Sequence, residues 1–188
     1  MADEPVEIYD KNNEPLGITK LKSEAHRTGL WHRAAHVWIY NDRGELLMQK
    51  RAKTKDLFPD RYDISAAGHV TAGEDPISTA LRETKEEIGI DIKKEDLRLL
   101  GIRKTQIIFE RIRNNEFCYV YILRLNLDLK SLKLQKEEVS GVKMFKIDKL
   151  TEDLKAHPDM FVPHAYLNDL MAEVRRLTRT GDMPLKTY

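Results

Sequence analysis

The sequence predicts an α/β fold. Three observations carry that expectation: runs rich in β-branched, aromatic and aliphatic residues recur along the chain, one helix with strong start and stop signals sits near its middle, and an amphipathic helix closes it. Val6 to Tyr9 alternates and meets the turn-forming Asp10-Lys11-Asn12-Asn13, which predicts a hairpin. Ser23 to Arg27 reads as a short helix. His36 to Tyr40 and Glu45 to Arg51 are strands joined by the turn Asn41-Asp42-Arg43-Gly44, and Lys53 to Asp60 is a charged loop. Leu97 to Lys104 and Phe117 to Leu125 are strands with a turn at Arg111 to Asn115 between them, and Val142 to Ile147 is the last strand. Phe161 to Arg179 predicts the closing helix, in which Leu167, Leu170, Met171, Val174 and Leu177 form a packing stripe. No internal repeat or linker divides residues 1–188, so one domain is expected.

The central helix carries the chemistry. Asp75 is a good N-cap, Pro76 suits the first helical position because its missing N–H is no loss there, and Gly89 takes the left-handed C-cap cheaply. Between them Ile77, Ala80, Leu81, Thr84 and Ile88 share one stripe, while Glu83, Glu86 and Glu87 share the adjoining one. Three clustered carboxylates repel one another unless a cation sits among them. Carboxylate oxygens suit hard divalent ions, Mg²⁺ first and Mn²⁺ as an alternative.

The whole stretch Gly68 to Ile90, GHVTAGEDPISTALRETKEEIGI, reads G-x5-E-x7-R-E-x2-E-E-x-G-hydrophobic. It resembles the Nudix box, the signature of MutT-like enzymes that hydrolyse a diphosphate joined to another group. Thr84 stands where an aliphatic residue is commoner. The resemblance implies an α/β/α sandwich around a mixed sheet, with the amphipathic helix at its C-terminal end. It implies that Gly68 and Glu74 belong to the loop entering the helix, that Arg82 orients a carboxylate, and that Glu83, Glu86 and Glu87 hold metal. Glu74, Arg82, Glu86 and Glu87 are then the catalytic set, with Glu86 and Glu87 as the box candidates for accepting a proton. Glu137 or Glu138, outside the box, is a candidate further ligand or base.

A narrower resemblance covers Glu24 to Gly89. The segments EAHRTGLWHRAAHVW, NDRGELLMQKRA and SAAGHVTAGE look like the Nudix branch related to isopentenyl-diphosphate isomerase. In that isomerase the histidines matching His26, His32 and His69 bind a divalent metal with two later glutamates, which align with Asn114 and Glu116 here. The isomerase carries a catalytic cysteine immediately before its Gly-His pair, and this chain has Ala67. Moving a proton to and from carbon needs two proton-transfer groups, so the hydrolase reading is preferred. The alternatives are an isomerase-like enzyme and a non-catalytic nucleotide-binding module.

Composition narrows the partners. Net charge is +1, so no global field draws nucleic acid polymers or membranes. Cys118 is the only cysteine, which excludes an intrachain disulfide. Neither a signal peptide nor an apolar run long enough to span a bilayer is present, which makes the cytoplasm the expected address. The expected partner is a small-molecule diphosphate. Arg33, Arg51, Lys53 and Lys55 are candidates for its second phosphate, and Trp31, Phe58 and Tyr62 either stack on a base or pack in the core.

Overall fold

The computed structural model describes residues 3–183 and the backbone of 186–187. β1 (Pro5–Tyr9) and β2 (Pro15–Leu21) form the expected antiparallel hairpin, followed by α1 (Lys22–Thr28). β3 (Trp31–Tyr40) is the axis of the sheet. It runs parallel to β8 (Ile112–Asn126) along one edge, with Trp31 opposite Asn115 through Tyr40 opposite Arg124. Three strands share its other edge: β1, then β6 (Ala66–His69), then β4 (Glu45–Arg51). β5 (Tyr62–Asp63) and β9 (Val139–Lys146) pair with β4, β7 (Arg98–Phe109) pairs with β8, and β10 (Lys186–Thr187) adds a short parallel pairing to β8.

Each face of the sheet is covered by helix. α2 (Pro76–Ile88) lies on one, over Ala35, Val37, Ile39, Leu47 and Ala66. α3 (Ile147–Ala156) and α4 (Leu167–Thr180) lie on the other, over Ala34, Trp38, Tyr40, Val120 and Ile122. This is an α/β/α sandwich around a mixed sheet. The α4 stripe Leu167, Leu170, Met171, Val174 and Leu177 is buried as its spacing requires. Each of these side chains contributes about 1.5–3 kcal/mol on leaving water. Among the described residues no helix is long and apolar enough to cross a membrane.

Two expectations about the elements need correction, and one helix had none. The closing helix starts at Leu167, not Phe161. Phe161 is buried and bridges Tyr62, and the Val162 amide donates to the Tyr62 carbonyl at 2.8 Å, so sheet pairing holds this segment extended ahead of Pro163. The turn placed at Arg111 to Asn115 lies at Glu110 and Arg111, because the apolar run Ile107-Ile108-Phe109 and Ile112 continues both strands. Asn114 and Asn115 are therefore strand residues. Finally, α3 escaped sequence reading because only Ile147 and Leu150 of its ten residues are buried, too few for a visible helical period.

Candidate active site and histidine cluster

α2 is built as its ends dictate. The Asp75 carboxylate accepts from the Ser78 amide at 2.8 Å, Pro76 opens the first turn, and Gly89 closes the helix at φ 74°. Glu83 and Glu87 point inward and are buried, whereas the Glu86 side chain is half exposed. Arg82 threads between the acids. Its Nε and Nη2 donate to the two Glu74 oxygens at 3.2 and 3.0 Å, while Nη1 reaches Glu83 at 2.6 Å and Glu86 at 3.3 Å. Thr79 Oγ1 donates to Glu74 at 2.8 Å, fixing that carboxylate from a second side.

Gly68 lies in strand β6, paired with Ala35, and not in the loop entering the helix as the resemblance implies. A Cβ at this position would stand 2.1 Å from Glu83 Oε1, so only glycine lets the sheet and the acidic helix meet. Glu87 is fixed in turn: its Oε2 accepts from the Ala67 amide at 2.9 Å and from Gln49 Nε2 at 3.2 Å. Burial, reinforced by the neighbouring Glu83 charge, raises the Glu87 carboxyl to about 8. Burial likewise raises Glu83 to about 7, against the opposing pull of Arg82. Glu138 joins the group from the segment before β9. Lys55 pairs with its Oε2, while its buried Oε1 has no partner. Lys55 and Glu138 are separate candidates in the sequence, but their pairing is not readable there, and Gln49 carries no sequence signal, since a lone Gln in a strand is unremarkable.

The remaining phosphate and base candidates are distributed differently. Arg51 is engaged internally, donating to Asp63 at 2.7 Å and to the Leu57 carbonyl at 2.9 Å. Lys53 is exposed on the loop. Arg33 bonds Asn13 and lies over the Tyr9 ring. The aromatic candidates are packing residues: Phe58 is buried against Phe109, Trp31 lies on Phe117, and Tyr62 meets Phe145 and Phe161.

The opposite face of the sheet holds the second constellation. The period-two alternation of β6 turns Gly68 toward α2 and His69 away from it. There His69 meets His26 from α1, His32 from β3 and Glu116 from β8. One ligand atom from each of the four lies within 4.8 Å of the others. Glu116 Oε1 is 3.1 Å from His69 Nε2 and 3.8 Å from His32 Nε2, and His26 and His69 approach to 3.2 Å through their Nε2 atoms. His32 Nδ1 is held 3.0 Å from the Leu30 carbonyl, which leaves its buried Nε2 unpartnered. Burial, then the neighbouring imidazoles, lower His26 to about 3 and His32 to about 4. Burial opposes ionisation of Glu116, but the contact with His69 prevails and holds its carboxyl well below the usual range. Asn114 is buried and its side-chain carbonyl oxygen is also unpartnered.

A mixed sheet between helical layers recurs in solved structures. A Deinococcus radiodurans protein superposes with a TM-score of 0.64 at 22% identity, covering 92% of this chain and 98% of its own. A Methanosarcina mazei MutT protein gives 0.56 at 18% identity, over 80% and 96%. The chain belongs to the Nudix family: the NUDIX domain matches residues 30–165. It is 36% identical to a Nudix hydrolase of Clostridium acetobutylicum over 82% of this chain and 75% of the relative. It is 35% identical to Nudix hydrolase 3 of Arabidopsis thaliana over 87% of its length, yet covers only 22% of that protein. An isopentenyl-diphosphate Δ-isomerase of Photorhabdus laumondii is 29% identical over 85% of this chain and 86% of its own.

Proposed function

We propose that this protein is a Mg²⁺-dependent pyrophosphohydrolase acting on a diphosphate joined to a second group, such as a nucleoside diphosphate derivative. The observation that carries this reading is the set of buried carboxylates Glu83, Glu87 and Glu138, in which the charges of Glu83 and Glu138 both act on Glu87 and Glu138 Oε1 has no hydrogen-bond partner. That donor set fits a hard dication, with Glu83, Glu86 and Glu87 as its holders and Mn²⁺ as a substitute. A bound dication supplies charge neutralisation for the diphosphate and a water of lowered pKa. The residues do the rest. Gln49 and the Ala67 amide orient Glu87, and Arg82 with Thr79 holds Glu74. Glu138, with one free oxygen, accepts the proton of the attacking water, and Lys55 faces the substrate once it is released from Glu138. Positioning and charge stabilisation then provide most of the rate. A cytoplasmic address and a small-molecule substrate complete the reading.

The test is phosphate release from a panel of nucleotide sugars, dinucleotides and prenyl diphosphates with Mg²⁺ present. Turnover of at least one compound is expected, abolished by Glu87→Gln without loss of fold. Silence on every compound would leave a binding module.

A second reading, isomerisation of an isoprenoid diphosphate, is favoured by the four-ligand cluster at His26, His32, His69 and Glu116 and opposed by Ala67. It requires turnover of isopentenyl diphosphate with no phosphate released.

A further inference from the structure

His36 and Cys118 are buried reactive side chains that neither candidate site uses. Both lie on the face of the sheet that carries the histidine cluster, His36 on β3 and Cys118 on β8, where Cys118 stands opposite the small Ala34. Glu116 stands between them and the cluster, with its two oxygens turned in different directions. Oε1 faces His69 and His32, whereas Oε2 accepts from Cys118 Sγ at 3.6 Å, the Thr105 hydroxyl lying 3.4 Å from the same sulfur. His36, Glu116 and Cys118 also each offer a ligand atom within 4.8 Å of the others, and all three are buried.

We infer that Glu116 is a bridging ligand, and that a second cation site of thiophilic character, formed by His36, Glu116 and Cys118, adjoins the histidine site. The donor chemistry separates this site from the box. One imidazole, one carboxylate and one thiolate select an ion of the Zn²⁺ class, whereas the all-oxygen cradle on α2 selects Mg²⁺. Three protein ligands leave one position of a tetrahedron open.

The groups that hold His36 agree. His36 Nδ1 lies 2.7 Å from the Tyr166 hydroxyl, and Trp38 Nε1 donates to that hydroxyl at 3.2 Å. An Nδ1–H donated to the Tyr166 oxygen leaves Nε2 with the lone pair a metal takes, the arrangement that orients ligating histidines generally. Cys118 binds as the thiolate, its proton leaving to solvent as the cation is taken up. As mere packing, a thiol at this position is replaceable by any small apolar side chain.

The experiment is a Co²⁺ titration of the reduced full-length chain in excess Mg²⁺, which occupies the box, followed by absorption and by equilibrium dialysis. Two equivalents of Co²⁺ and a thiolate-to-cobalt charge-transfer band are expected; with one cysteine in the chain, the band assigns itself to Cys118. Cys118→Ser should bind one equivalent without the band, and His69→Gln one equivalent with it. Absence of the band from the unaltered protein, or a stoichiometry of one, overturns the inference even where a variant fails to fold.

Discussion

The two polar clusters of this protein occupy opposite faces of one sheet and are assembled in opposite ways. The acidic cradle is largely local: Glu74, Arg82, Glu83, Glu86 and Glu87 come from one helix and the turn before it, while Gln49, the Ala67 amide and the Lys55–Glu138 pair are imported. The histidine cluster has no local core. His26, His32, His69 and Glu116 come from α1, β3, β6 and β8. One is a nest of carboxylates in which burial raises Glu83 and Glu87, and the other is a set of imidazoles, with His26 and His32 lowered by burial, around a carboxylate held well below its usual range. The difference teaches that one sheet insulates two sets of ligands with different appetites for cations by presenting alternate residues of a strand to each side.

The largest expected effect tests that insulation. Glu87→Gln should lower Mg²⁺-dependent phosphate release by roughly 100-fold or more, the scale of losing a proton-transfer or charge-stabilising group. His69→Gln should change it by no more than about threefold. Comparable losses in both variants, measured as kcat/KM on the same substrate, would join the two clusters into one site.

Next comes Gly68→Ala, which forces Glu83 to move. It should cost about 1–3 kcal/mol of stability, the usual toll of overpacking, and weaken Mg²⁺ binding. Unchanged calorimetric Mg²⁺ affinity would show that the cradle tolerates a shifted Glu83.

The pH dependence of the metal-free protein should show two limbs. Glu87 and Glu83 titrate higher in the fold than the ordinary carboxylate value of 4.5. Their contribution to stability is present below that value and is lost as pH rises through about 7 and about 8. His26 and His32 titrate lower than the ordinary 6.5, so their contribution is present above that value and lost as pH falls through about 4 and then about 3. Urea unfolding across this range should find the alkaline limb flattened in Glu87→Gln and the acid limb intact. An alkaline limb that survives the substitution would detach it from the cradle.

The smallest effect is at Gln49, whose amide donates to Glu87. Gln49→Ala removes one hydrogen bond to a charged group, about 1.5 kcal/mol, and should weaken Mg²⁺ binding roughly tenfold with little change in the histidine cluster's uptake of Co²⁺. Equal losses at both clusters would indicate a general loosening of the sheet.

The same contrast explains what the sequence disclosed. The box helix was legible to the residue because its cap, its stop and its stripes are all set within one stretch, and Asp75 and Gly89 perform those roles in the fold. The layers followed from the family resemblance, and the packing stripe of α4 from its spacing. The histidines were visible as a group, but Glu116 entered only by alignment, because pairing between β3 and β8 brings it there from more than 80 positions away. The grouping of His36 with Cys118 and the reach of Gln49 to Glu87 stayed hidden for the same reason: strand alternation assigns a face only once the register is known. The start of α4 was misplaced because a long-range bridge between Phe161 and Tyr62 overrides local helical period.

β6 contains four residues, Ala66 to His69. A single extra residue in it would swing imidazole toward the glutamates and bring a side chain where none fits, ruining both ligand sets at one stroke. Length changes are therefore intolerable in this short strand between two chemistries, while the loop at 52–61 answers to the acidic face alone, through Lys55 and Glu138.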